Sequence, residues 1–255
     1  MVSTMSRLQE LLKCRESFPY FVTTYVKYLH PMRGLLPMEI HPFQQKLIDN
    51  YEQHRHNLVV KFRGSALTTM TQLWALWKAM FYDDQQIMTV GNRIGDAKHV
   101  GKIIRATLKR LPDWMVPAMD EDNDERKVFR LTGSVLQYGC CEQVRSKSLT
   151  CLILDEAAFI KKLADYWTEM YPSIADGGRV IAVTTTNGID PWFYETYHRA
   201  RLGQNAFNIY HPDYWEHPDN NKEWADNMKS SLGEKGWMQE VLGNFLAEGD
   251  SRTGD

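Results

Sequence analysis

Residues 151–154, Cys-Leu-Ile-Leu, form an apolar run without a polar residue at every second position, and the run ends on two adjacent carboxylates, Asp155 and Glu156. A strand with one face in water alternates apolar and polar side chains, so an unbroken run has to be covered on both faces, as in a parallel sheet between helices. Ligands of open α/β sheets sit just beyond the carboxyl ends of the strands, which is where Asp155 and Glu156 would fall. Neighbouring side chains on a strand point to opposite faces. One carboxylate can then hold Mg²⁺ while the other orients and deprotonates a water that attacks a γ-phosphate. Taken alone, the same pattern also fits a strand that ends in a polar turn.

The rest of the chain repeats the theme of apolar strand, polar tip and helix. Residues 41–55 place Phe43, Leu47, Ile48 and Tyr51 on one helical face, with Pro42 in the first turn, and the apolar strand Asn57-Leu-Val-Val-Lys-Phe62 follows. Next come Arg63-Gly-Ser-Ala-Leu-Thr-Thr69 and a helix with Leu73, Leu76, Trp77, Met80 and Phe81 together. A second strand is expected at residues 86–91, and a helix with a basic face over 97–111, stopped by Pro112. Residues 120–125, Asp-Glu-Asp-Asn-Asp-Glu, read as an exposed acidic loop, and residues 128–138 as a hairpin around Thr-Gly-Ser. A helix near residues 166–171 follows the Asp155 strand. The run Arg179-Val-Ile-Ala-Val-Thr-Thr-Thr-Asn-Gly188 is another buried strand with a polar tip, succeeded by a helix over 192–201. One more strand is expected at 207–211 and two helices at 221–231 and 234–246. Helical spacing of Leu8, Leu11 and Leu12 and the aromatic stretch 18–28 predict an ordered N-terminal lobe. The expected organisation is an N-terminal helical lobe (1–40), an α/β core (41–204) and a C-terminal subdomain (205–255). Alternation of strands and helices argues for a mostly parallel sheet.

A phosphate-binding loop works because small residues let successive backbone N–H groups curl around phosphate oxygens at a helix N-terminus, while a lysine and a hydroxyl serve the γ-phosphate and Mg²⁺. Residues 63–69 have the right setting, between a strand and a helix. Gly64, Ser65 and Ala66 supply the small residues, and Thr68 and Thr69 the hydroxyls, with Thr68 in the Mg²⁺-coordinating position. Leu67 stands where the lysine belongs. Lys61 and Arg63, just upstream, can supply the missing positive charge from the other side.

This combination resembles the large subunit of tailed-bacteriophage terminases, the DNA-packaging motors, and in particular their N-terminal ATPase domain. The resemblance runs from about His41 onward, and its most specific part is Leu154-Asp-Glu-Ala-Ala-Phe-Ile160. It implies a RecA/ASCE-like P-loop NTPase fold with ATP and Mg²⁺ as cofactors, Asp155 binding the metal and Glu156 as the catalytic carboxylate. It further implies that Gln44 reads adenine and that Arg63 opens the phosphate loop, with Lys61 as substitute for the absent lysine. Arg145 would be the arginine that reaches a neighbouring subunit's nucleotide, and Thr184, Thr185, Thr186 and Asn187 the coupling motif. The implied partners are double-stranded DNA, a portal protein, the small terminase subunit and further copies of the chain in a ring. The implied setting is the host cytoplasm, docked transiently on the procapsid. The family's nuclease half is expected to lie outside this sequence, either because this is an excised ATPase domain, the favoured expectation, or because the nuclease is on another chain.

Composition narrows the alternatives. A chain of 255 residues with 43% hydrophobic content can bury a full core, and its formal charge of −2 provides no global attraction to nucleic acid. DNA contact then has to come from local patches such as Lys98, Lys102, Arg105, Lys109 and Arg110. Four cysteines without metal-ligand spacing, two of them adjacent, point to a reducing intracellular setting, and no apolar run is long enough for a membrane span. Two rival readings remain at this level. One is a nucleotide-binding or assembly protein that Leu67 has rendered inactive; the other is a helicase-type translocase.

Overall fold

The structure, a computed structural model, describes residues 4–30, 32–145, 147–189 and 191–246, with the side chains of residues 4, 175 and 176 not described. Helices α1 (Thr4–Glu16) and α2 (Phe18–Tyr25) precede a hairpin of β1 (Lys27–His30) and β2 (Gly34–Pro37). Helix α3 (Pro42–Gln53), strand β3 (His56–Val60), helix α4 (Leu67–Phe81), strand β4 (Gln86–Val90) and helix α5 (Ile94–Leu108) follow. Then come β5 (Met119–Asp122), β6 (Arg126–Phe129), β7 (Val135–Gly139), β8 (Leu149–Asp155), α6 (Leu163–Met170) and β9 (Ile174–Thr184). The described chain closes with α7 (Phe193–Arg201), β10 (Phe207–Tyr210) and α8 (Lys222–Glu240).

Eight strands form one sheet in the order β10-β3-β9-β8-β4-β7-β6-β5. The pairings from β10 through β7 are all parallel, and β6 and β5 append antiparallel at one edge. The apolar runs behave as two-sided burial requires. Val59, Ile153, Ile181 and Val183 face a core built with α1 to α5, whereas Leu58, Val60, Leu152, Leu154 and Ala182 face a second core that includes Leu163, Phe193 and Tyr197. Odd and even positions thus serve opposite faces of one sheet. Helix α4 is buried along most of its length, from Leu67 and Met70 to Met80. Its apolar residues fill more than one stripe because sheet and N-terminal helices cover it from several sides.

Several expectations change in detail. The acidic run is not all loop: Met119–Asp122 is an edge strand, paired antiparallel to β6, and only residues 123–125 make the turn. Carboxylates on an edge strand deter pairing with foreign strands. The two C-terminal helices are successive parts of α8, broken at Gly233 (φ 69°, ψ 172°), and the second stops at Glu240 rather than 246. Strand β10, which follows residues 204–205, pairs with β3 from Phe207↔His56 to Tyr210↔Val59. The N-terminal lobe contains the β1–β2 hairpin as well as helices, and it shares the main core. Phe18 meets Trp77 edge-on at 5.7 Å, Phe21 meets Phe81 at 5.5 Å, and Trp77 Nε1 donates to Cys14 O at 2.7 Å.

Candidate nucleotide-binding site

The loop between β3 and α4 turns at two left-handed residues, Gly64 (φ 84°) and Ala66 (φ 57°). Gly64 takes this conformation without a Cβ penalty, whereas Ala66 is strained there and the start of α4 holds it. The first turn of a helix leaves its N–H groups without intrahelical partners, and Leu67 and Thr68 of this turn border a cavity of about 230 Å³. Loop residues from Lys61 to Thr68 line it, together with Glu156 and Thr185.

The sheet brings the distant strand tips to this loop. Lys61 Nζ donates to Glu156 Oε1 at 2.6 Å and to Thr68 Oγ1 at 3.2 Å, and Thr68 Oγ1 donates to Asp155 Oδ1 at 3.2 Å. One ammonium therefore sits among a hydroxyl and two carboxylate residues. Lys61 is mostly buried and Glu156 half exposed. Asp155 is buried, and desolvation raises its pKa to about 6, against the lowering effect of Lys61 and the further rise from Glu156. Glu156 holds a left-handed backbone (φ 51°, ψ 49°), a strained state for a side-chain-bearing residue that turns its carboxylate back toward the loop.

Strand β9 lies between the strand leading to the loop and the strand bearing Asp155. At its tip Lys61 N donates to Thr184 O at 2.8 Å, while the Thr184 hydroxyl donates to Thr185 O at 2.6 Å and lies 3.5 Å from Glu156 Oε2. The Thr186 hydroxyl reaches Gln239 O (3.1 Å) and Asn244 O (2.8 Å), and Asn187 Nδ2 donates to Ala158 O at 3.1 Å. The polar tip thus touches Glu156 and Ala158 just beyond β8, the loop and the end of α8.

The other expected residues have further partners or places. Leu67 borders the cavity but is fully buried in the main core. Thr69 lines a different cavity, beside Leu73 and Ile103. Arg63 turns outward: its N–H donates to Glu240 O at 2.8 Å and its guanidinium to Glu240 Oε2 at 3.4 Å. Gln44 is buried, with Oε1 accepting from His41 N (3.0 Å) and Nε2 donating to Ser65 O (3.0 Å), so it ties the start of α3 to the loop. Arg145 pairs with Glu169 on α6. Glu240 and Glu169 were not foreseen. They lie 177 and 24 residues from their partners, and no local pattern links them.

Among the described residues no group of three or more His, Cys, Asp and Glu side chains could cage a metal. The oxygens of Thr68 and Asp155 do suit Mg²⁺, which takes one or two protein ligands and completes its shell with phosphates and water. The buried, otherwise costly Asp155 carboxylate fits the same purpose. No helix among the described residues is long and apolar enough to cross a membrane.

No protein-family model matches the chain. Solved structures do. The ATPase domain of the large terminase of Thermus phage P74-26 is similar with a TM-score of 0.64 at 16% identity, over 82% of this chain and 94% of that one. A large terminase from a thermophilic bacteriophage, solved in complex with ADP, gives 0.66 at 12% over 82% and 54%, and the large terminase of bacteriophage HK97 gives 0.63 at 14% over 83% and 46%. The chain spans nearly all of the isolated domain and about half of the two longer chains. The mostly parallel eight-stranded sheet, flanked by helices, is therefore the RecA/ASCE-like fold of phage large-terminase ATPase domains.

Proposed function

We propose that this chain is the ATPase motor domain of a phage large terminase and couples ATP hydrolysis to movement of double-stranded DNA into a procapsid. The observation that carries the reading is the Lys61–Glu156–Thr68–Asp155 cluster on the cavity at the loop. Lys61 supplies the charge that Leu67 cannot. Without nucleotide its ammonium holds Glu156; a bound triphosphate offers a stronger anionic partner. Transfer of Lys61 to the phosphates releases Glu156 to orient and deprotonate water. Asp155 and Thr68 would hold Mg²⁺, which neutralises charge on the phosphates when bound. Burial keeps the Asp155 carboxylate in want of a cation.

Gly64, Ser65 and Ala66 cradle the phosphates through backbone N–H groups. Gln44 positions that cradle through Ser65 O, and to read adenine's edge its amide exchanges one of its two internal partners for the base. Arg63 anchors the loop to α8, and Arg145 serves as the arginine that stabilises transition-state charge once it leaves Glu169. Thr184 to Asn187 pass the state of the site to the α8 end. Partners on this reading are the portal protein, the small terminase subunit and further copies of the chain in a ring, docked on the procapsid in the host cytoplasm.

DNA-stimulated phosphate release tests it. The wild-type chain should hydrolyse ATP, Glu156→Gln should lose about 100-fold or more in rate while still binding nucleotide, and Lys61→Ala should lose on the order of tenfold or more in nucleotide affinity. Equal background release from wild type and Glu156→Gln would sink the motor reading and leave a nucleotide-binding assembly protein.

A further inference from the structure

We propose that helix α5 presents a phosphate-contacting stripe to duplex DNA, and that the acidic turn between β5 and β6 is a resident cover the duplex must displace. The choice of duplex rests on the motor reading above. At 100° per residue Lys98, Lys102, Arg105 and Lys109 fall within an arc of about 60°, spanning about 16 Å along the helix. Ala97, Val100, Ile104 and Leu108, on a different face of the helix, are buried, and Lys102 and Lys109 are exposed, so this stripe faces outward.

Half of it is already occupied. Lys98 Nζ lies 2.7 Å from Glu125 Oε1, and Arg105 Nη2 lies 2.7 Å from Asp124 Oδ1. Lys102 and Lys109 are exposed, and no ion pair is seen for them among the described residues. The remaining acids of this hairpin are spent internally, Asp120 on Arg130, Glu121 on Arg126 and Asp122 on Lys127. Covered and bare cations therefore alternate along the stripe.

Both bridging pairs are partly exposed, and exposed pairs hold only weakly against competing ions. A regular row of phosphates competes on near-equal terms, and salt shifts the balance. The turn sits at the outer edge of the sheet, where β5 pairs with β6 alone, so displacing it leaves the parallel core intact.

Fluorescence anisotropy with a labelled duplex of about 30 base pairs, at low salt and without nucleotide, reads the exchange. Asp124→Asn/Glu125→Gln should bind about tenfold tighter than the wild-type chain. Lys102→Ala/Lys109→Ala should bind about tenfold more weakly, with a salt slope shallower by about 2. Glu223→Gln/Asp226→Asn on α8 changes net charge equally and should bind as wild type. An unchanged affinity for the cover variant, or equal tightening by the α8 variant, would overturn the proposal. Equal gain toward polyglutamate would overturn duplex as the partner. Phosphate release by the same variants without DNA should match wild type. A wild-type chain that hydrolyses no ATP would count against the motor reading alone, since anisotropy needs no nucleotide.

Discussion

Burial raises the cost of ionising Asp155. Its carboxyl is protonated more readily in the folded chain than in the unfolded one, with a pKa near 6 instead of 3.8. The folded state binds the extra proton between those values, so this group lowers stability as pH rises from about 4 to 6, and the full penalty stands above that window. Asp155→Asn should therefore stabilise the nucleotide-free protein by about 1–2 kcal/mol at pH 7–8, with the gain vanishing near pH 4. Chemical denaturation at several pH values measures it. Leu67 makes the complementary point. Its side chain is packed into the core, so Leu67→Ala should cost about 2–4 kcal/mol in thermal unfolding. Placing lysine there would bury an ammonium rather than rebuild a phosphate contact.

At the scale of elements, the β3–α4 loop and the tip of β9 both reach the C-terminal end of α8. Arg63 N holds Glu240 O, and the Thr186 hydroxyl holds Gln239 O and Asn244 O. Thr186→Val removes the donor while keeping the shape, leaving two carbonyls unsupported at a cost of about 1–2 kcal/mol. Hydrogen exchange should quicken in residues 237–244 while β3, β8 and β9 keep their protection. Uniform exchange across the sheet instead would show that the strap is not local. The order of strands and helices was legible from apolar runs because two-sided burial leaves a plain mark. Strand β5 was not, since Met-Asp-Glu-Asp has little strand propensity and pairs only because β6 offers an open edge.

For the molecule as a whole, the N-terminal lobe belongs to the core. Phe18, Phe21 and Val22 are nearly fully buried against it. Each contributes about 1.5–3 kcal/mol of burial, and together they rival the 5–15 kcal/mol stability of an ordinary domain. Residues 41–255 alone should then show no cooperative thermal transition in near-ultraviolet circular dichroism, whereas the full chain should. A cooperative transition in the truncated chain would make the lobe an independent appendage.

Apolar runs with polar tips, and the loop between a strand and a helix, were enough by themselves to specify a parallel α/β sheet and to single out Asp155, Glu156 and Thr68 as candidate site residues. Those signals are local: they lie in residue type and spacing. Which cation meets the strand-tip carboxylates was decided by tertiary structure, because only strand pairing places Lys61 Nζ 2.6 Å from a carboxylate 95 residues away. The same holds for Leu67 in the core, Arg63 on Glu240 and the acidic turn on α5. Contacts between distant segments depend on the register and order of strands, and that information is spread over the whole fold.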